Sequence, residues 1–420
     1  MSAADATDQF VYLDYNATTP VDEAVVSELM PYLAGKGFGN PSSSHVKGRR
    51  ARAAVDEGRW RVAKMLGCDD SSVYFTSGAT ESLNWAIKGA AFKQREDSGR
   101  NHILISAVEH VCVFEIVKWL ASEHGFDCEV CPVDSKGRVD PEKVKSLIRP
   151  GKTAVVSIQH GNAEVGTVQP IAEIVAAVEE VDGNVIVHTD ASQSAGKYPL
   201  TVEALGSPDL ITLAGHKFYA PKGIGALIAP SGVVIEQLMH GGGQEFGERC
   251  GTENVPWIVG FGKACELVNE NLEAYMEHMN SLRTILLKDL EKAVTSEAGE
   301  DAWKWNVRVN TPLDDPSCPV LANTLSISIK GMQGADIVKE LGDRVAISAG
   351  SACHSGEHVL SSVLQAMKVE PVWGLGTLRF SIGRMTTKEE VKQAARVVGS
   401  VICKHLRELE DGDVEADTFQ

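Results

Sequence analysis

Long hydrophobic runs are missing from this sequence. None approaches the ~18 consecutive apolar residues that span a bilayer, so a membrane-crossing helix is excluded. The opening residues, "MSAADATDQF", carry no basic group and no apolar core, so no secretory or transit signal is read there and the cytoplasm is the expected compartment. Positive charge is also scarce: 40 Lys and Arg stand against 57 Asp and Glu, a net charge of -17. A nucleic-acid backbone needs basic patches that this balance does not supply, so no nucleic-acid partner is expected. The nine cysteines are irregularly spaced and make no disulfide framework. The single CxxC, "DCEVCPV" (Cys128, Cys131), alternates like a strand and lacks the second pair that a closed metal site needs, so no metal is expected.

What is present is the composition of an ordinary globular chain, 43% hydrophobic and 23% charged. A length of 420 residues exceeds the roughly 250–300 at which one core stops growing, so two domains are expected. From about residue 50 to 265, helical stretches alternate with short β-branched runs: "HILISA", "TAVVSIQ", "NVIVHTDA", "DLITLAG" and "GIGALIA". That alternation predicts an α/β domain with a mainly parallel sheet, whose ligands bind where strands end. A helical pattern over roughly 256–298 follows and links to a second unit, with strands near "NTLSISI" and "TLRFSIG" and a closing helix after Thr387.

The polar residues that attract attention fall directly after those strands. In "VYFTSGATES" a strand ends and a Gly-containing turn enters a helix, an arrangement that presents free backbone N–H groups to an anion but also describes an ordinary helix cap. In "VHTDASQSAGK" an acid, Asp190, ends one strand and Gln193 follows; in "LAGHKFYAPKG" Lys217 follows a later strand beside His216. Each alone reads as a surface charge. Together they match the needs of pyridoxal phosphate: a Schiff-base lysine, an acid for the pyridine nitrogen and a phosphate cup.

Ten motifs in order, "YLDYNATTP", "GNPSSSH", "FTSGATES", "VEH", "GNAEVGTVQPI", "HTDASQ", "GHKFYAPKG", "GGGQE…GTEN", "SAGSACHS" and "LRFSIGR", resemble those of the NifS-like cysteine desulfurases and selenocysteine lyases over nearly the whole chain. The resemblance implies the fold-type-I architecture of pyridoxal-phosphate enzymes: a large domain with a mainly parallel seven-stranded sheet between helices, and a smaller α+β C-terminal domain. It divides the chain into an N-terminal segment, 1–20, that packs with the small domain, a large domain, 21–265, and a small domain, 266–420. It makes Lys217 the Schiff-base lysine, Asp190 the partner of the pyridine nitrogen and Gln193 that of the phenolate oxygen. His110 would stack on the ring and assist proton transfers. Ala79, Thr80 and His216 would hold the phosphate, and Thr252 would reach the phosphate of the other subunit of a homodimer. Arg379 and Asn162 would hold the substrate carboxylate, with Asn162 also beside the cofactor and Asn40 near the substrate. Arginine suits that task because its rigid fork bonds a carboxylate bidentately.

Cys353, in "AISAGSACHSGEH", is locally ambiguous between packing residue, metal ligand and nucleophile. Cys353, His354 and His358 could begin a zinc site, but no fourth ligand is identified. The resemblance makes Cys353 the loop cysteine that takes sulfur from L-cysteine and carries it as a persulfide to a protein acceptor; selenide release from L-selenocysteine is the alternative. The Gly/Ser/Ala composition of 346–362 predicts a mobile loop. His354 either lowers the thiol pKa or is a solvated loop residue. Three positions depart from the family pattern: Ala214, where a serine commonly meets the phosphate, Ala163 in "NAE", and Val111 after the active-site histidine, where animal lyases tend to carry an acid. The absent acid at Val111 favours cysteine over selenocysteine.

Overall fold

The computed structural model describes residues 10–354 and 357–417, with the side chains of 351–358 and 410–417 outside that description. Seven strands form the large sheet, in the order Val73–Thr76, Gly225–Ile228, Leu210–Ala214, Ile186–Asp190, Thr153–Ser157, His102–Ser106, Asp127–Cys131. Gly225–Ile228 runs antiparallel to both neighbours and the remaining pairs are parallel. The central strands are buried on both faces, which is why they read in sequence as unbroken apolar runs. A polar column crosses that apolar sheet: His188 bonds Ser157 Oγ at 2.8 Å and Thr212 Oγ1 at 2.9 Å, pinning three adjacent strands in one register. Asp190, two residues on, is thereby placed at the carboxyl end of its strand.

Strand order reverses between His102–Ser106 and Thr153–Ser157, since the chain runs outward to Asp127–Cys131 and then crosses back. Crevices outside such a reversal are where open α/β sheets bind ligands. At the outer edge, Cys128 and Cys131 lie three apart on one strand and so face opposite sides. Cys128 Sγ donates to Val117 O, and burial pushes both thiols up to about 11, a state unsuited to holding a metal.

The long helix Val255–Ala298, about 66 Å at 1.5 Å per residue, serves two cores. Ile258, Phe261, Cys265 and Val268 pack into the core of the large sheet; Met279, Leu282, Leu286, Leu290 and Val294 pack into a second. That second core is built on an antiparallel sheet ordered Ser348–Ala349, Thr377–Ser381, Thr324–Ile329, Val307–Val309, and on the closing helix Lys388–Asp417. Val11 and Leu13 also belong to it, and Val11–Tyr12 pairs in parallel with Val345–Ala346. Within the segment expected as a mobile loop, Ser351–His354 and Glu357–Leu360 pair as an antiparallel hairpin, with Cys353 opposite His358. Small residues hide this pairing in the sequence, because strand signals rest on β-branched and aromatic residues, and only Val359 supplies one.

Candidate active site

A cavity of about 860 Å³ opens at the sheet reversal and is closed on one side by the second domain. Lys217, Asp190, Gln193, His110, Ala79, Thr80, His216, Asn162 and Arg379 all line it. They arrive from the ends of five strands of the large sheet and, for Arg379, from the strand Thr377–Ser381 of the second domain. Lys217 closes the turn Gly215–Lys217 after Leu210–Ala214, and its Nζ donates to the carbonyls of Asn16 at 2.7 Å and Ala17 at 3.0 Å. Its hydrogen-bond acceptors are thus neutral. Burial and the Arg379 charge lower its pKa to about 8, against the pull of Asp190 and Asp14, so a usable share of free amine exists near neutrality.

Asp190 accepts from Ser192 N at 2.9 Å, which fixes its carboxyl at the strand end. Gln193 Nε2 donates to Asn16 O at 3.0 Å, and its Oε1 accepts from Nζ of Lys197 at 2.9 Å. Lys197 is 4% exposed, and burial, then Lys217 and Arg379, push its pKa well down. The bond from Lys197, with the one from Gln193 Nε2 to Asn16 O, sets the orientation of the Gln193 amide. His110 caps the helix Val111–His124 by accepting from Cys112 N at 3.1 Å, and its ring is open to the cavity. Loss of hydration lowers its pKa, with Asp190 opposing and Lys217 assisting. His216 meets Thr18 Oγ1 at 3.1 Å and is driven to about 4, chiefly by burial, so it stands neutral.

Gly78, at φ 151° and ψ 174°, occupies backbone space that only glycine enters readily, and it turns the chain into the helix Ala79–Asn84. Gly225 alongside is equally constrained, since a Cβ there would stand 2.8 Å from Gly78 backbone. Glu81 accepts from Ser77 N at 2.7 Å and grips Arg249 through both carboxylate oxygens, at 2.6 and 3.0 Å. Ala214 contributes no hydroxyl to this corner.

Arg379 extends from Thr377–Ser381, its Nη2 held by Asp14 Oδ1 at 2.7 Å and Ser348 Oγ at 2.8 Å. Its Nε is buried without a partner among the described residues, and its Nη1 donates to Ala163 O at 3.4 Å. Asn162, by contrast, spends its amide on its own turn: Oδ1 accepts from Glu164 N and Val165 N, and Nδ2 donates to Val108 O. Asn40 is exposed and lies off the cavity wall, its Oδ1 accepting from Ser42 N. Thr252 is exposed and also lies off this wall. The Cys353 backbone is in the hairpin; its side chain, with those of His354 and His358, lies outside the described set. Among the described residues no group of three or more His, Cys, Asp and Glu could hold a metal ion.

Sequence reading alone missed Asn16, Glu109, Glu164 and Lys197. Asn16 acts through its carbonyl, which carries no residue signature. Glu109 is 4% exposed, accepts from Ser106 Oγ and Gln159 N, and leaves Oε2 unpartnered among the described residues; burial raises its carboxyl to about 8. It stands beside His110 in "VEH", where a charge is indistinguishable in sequence from a solvated one.

These groups fit pyridoxal phosphate. An amine free of a direct carboxylate bond faces Asp190, a neutral imidazole and a glycine turn opening a helix share one corner, and an arginine with an idle donor stands opposite.

The aminotransferase class-V family matches residues 11–394. The cysteine desulfurase IscS of Dictyoglomus turgidum is 39% identical over 395 residues, covering 94% of this chain and 95% of its own. The cysteine desulfurase IscS of Methanosarcina thermophila is 40% identical over 395 residues, covering 94% and 92%. Among solved structures, a NifS-like protein superposes with TM-score 0.84 at 35% identity, over 94% of this chain and 99% of that one. A structure titled SspA in complex with cysteine gives TM-score 0.73 at 31% identity, over 90% and 100%. The fold type expected from the motifs is therefore the one observed, and the chain belongs to the aminotransferase class-V family.

Proposed function

We propose that the protein is a pyridoxal-phosphate-dependent cysteine desulfurase that converts L-cysteine to L-alanine and holds the sulfur as a persulfide on Cys353. The observation that carries this reading is the convergence of Lys217, Asp190 and Arg379 on one cavity, in a chain whose relatives over nearly full length are cysteine desulfurases. The cofactor, when bound, supplies an electron sink for charge developing on the substrate's Cα. Lys217 would hold the cofactor covalently, Asp190 would serve its ring nitrogen and Gln193, bonded by Lys197, its phenolate oxygen. Ala79, Thr80 and His216 hold the phosphate. Arg379 receives the substrate carboxylate, which orients the sulfur away from that wall; Asn162 shapes the turn beside it. Lys217, its pKa lowered to about 8, and His110, lowered from the ordinary imidazole value by burial, move the proton between substrate carbons.

The sulfur step belongs to Cys353. Its thiolate attacks the substrate sulfur, the Cβ–S bond breaks with its electron pair left on carbon, and that carbon takes a proton to become the methyl of alanine. The sulfur leaves on Cys353 as a persulfide, ready for a protein acceptor. In a homodimer, the exposed Thr252 would serve the partner's phosphate site.

Mass spectrometry after incubation with L-cysteine, and separately with L-selenocysteine, tests the reading. Sulfur added at Cys353, with alanine formed in step, is the expected result, and Cys353→Ser abolishes both. Alanine formed only from selenocysteine, with Cys353 unmodified, overturns it in favour of a selenocysteine lyase.

A further inference from the structure

The hairpin that carries Cys353 is pinned at its root by a side chain of the large domain. Its strands enter through Gly350 and leave through Ser361. Ser361 N donates to Gly350 O at 3.1 Å, and Gly350 N donates to Thr377 O at 2.8 Å. A Cβ on Gly350 would stand 2.6 Å from Thr377 Cβ, so only glycine lets the root lie this close to the strand that bears Arg379. The Ser361 hydroxyl accepts from Val363 N and Leu364 N, capping Ser362–Ala366, and donates its proton to the Glu164 carboxylate.

Glu164 is itself set by the cavity wall, because its backbone N–H is held at 2.8 Å by Asn162 Oδ1. Beneath the bond lies an apolar cluster of its own: Val108, Val165, Val363, Leu364, Met367 and Val369. Val108 precedes Glu109 and His110, and Val165 follows Glu164. One packed unit therefore joins the His110 strand end, the Asn162 turn and the helix behind the hairpin. Glu164 and Arg379 also stand on the wall common to the main cavity and a side chamber of about 510 Å³ that reaches Leu360 and Ser361.

We propose that Glu164 is a positioning residue for sulfur transfer: through Ser361 it fixes the root from which the hairpin presents Cys353 to a substrate held on Arg379. The inference rests on the reading of Cys353 as the sulfur acceptor. A purely structural cap would be satisfied by Ser361 alone, since its bonds to Val363 and Leu364 need no carboxylate.

The test compares Glu164→Ala, Glu164→Asp and Glu164→Gln with Cys353→Ser in the holoenzyme. Persulfide formation on Cys353 falls in Glu164→Ala and in Glu164→Asp by on the order of tenfold to a hundredfold, the effect that a misplacement of about 1 Å can produce. Glu164→Gln keeps an acceptor of the same reach and retains most of the rate. In Glu164→Asp, which keeps the charge that interacts with Arg379, the L-cysteine concentration that half-saturates the change in cofactor absorption stays as in the unsubstituted protein. In the cofactor-free protein, iodoacetamide alkylates Cys353 several-fold faster once the root is released from Glu164. Unchanged persulfide formation in Glu164→Asp sinks the inference, and so does a fall matched by an equal weakening of cysteine binding. Persulfide formation that survives Cys353→Ser overturns the parent reading, and the inference with it, an outcome the Glu164 variants alone cannot produce.

Discussion

Lys217 is a base because of where it is buried. A lysine in water titrates near 10.4, whereas burial and the neighbouring Arg379 bring this one to about 8. Only the neutral amine attacks an aldehyde, and a lowered pKa raises its share at a given pH. The rate at which cofactor-free protein forms its lysine adduct with pyridoxal phosphate should rise with pH and level off above about 8. Following the adduct by absorption gives the midpoint directly. Arg379→Leu removes a charge that lowers the pKa, so its midpoint moves to higher pH. A midpoint near that of free lysine in the unsubstituted protein would contradict the buried placement.

The same side chains show what sequence reading reaches. Lys217 and Asp190 were legible because each follows a recognisable strand, and strand ends in an α/β sheet are where ligands gather. Lys197, Glu109 and Glu164 were not, because sequence does not distinguish a buried charge from a solvated one, and charged residues are mostly solvated. Their roles depend on what faces them across the fold: the Gln193 amide, the Gln159 N–H and the Ser361 hydroxyl.

Among the elements, the segment leading to Thr252 is held by ion pairs rather than by strand pairing. Arg59, 3% exposed on the helix Val46–Leu66, bonds both carboxylate oxygens of Glu245, at 2.7 and 2.9 Å. Glu245 also accepts from Phe75 N at 2.8 Å on the strand that leads into the Gly78 turn. The Arg59 guanidinium lies about 5 Å from the rings of Phe75 and Phe246. Removing one partner of such a pair leaves a buried charge uncompensated, so Arg59→Met should lower stability by about 3–5 kcal/mol in urea unfolding. Arg59→Met combined with Glu245→Gln restores part of that loss, since no unpaired charge remains. Equal stability of the single and double variants would mean that the pair is not buried as described. The long helix, by contrast, was legible almost to its ends, because its apolar residues recur at three and four. The hairpin at Cys353 was not, its residues being too small to signal a strand.

In the molecule as a whole, this tethered segment carries large apolar side chains that solvent reaches. Val234, Leu238, Met239 and Phe246 are 66%, 39%, 42% and 60% exposed along one stretch of chain, just ahead of the exposed Thr252. Large apolar side chains left exposed in one segment point to an interface rather than to a free face. A second copy of the chain laid over it would bring its own Thr252 segment against the first, as the homodimer reading requires. Arg249 would then couple assembly to the cavity, because it ties that segment to Glu81 in the first turn of the helix Ala79–Asn84. Two consequences should appear together in Leu238→Glu/Met239→Glu, whose charges would be buried unpaired in the interface while harming nothing on a free surface. Sedimentation velocity should show the unsubstituted protein as a dimer and the double variant shifted towards monomer. Dialysis should remove pyridoxal phosphate from the variant faster, since each site loses the hydroxyl contributed by its neighbour. A double variant that stays dimeric, or one that dissociates yet holds its cofactor as tightly, would separate the apolar surface from the active site and sink the arrangement.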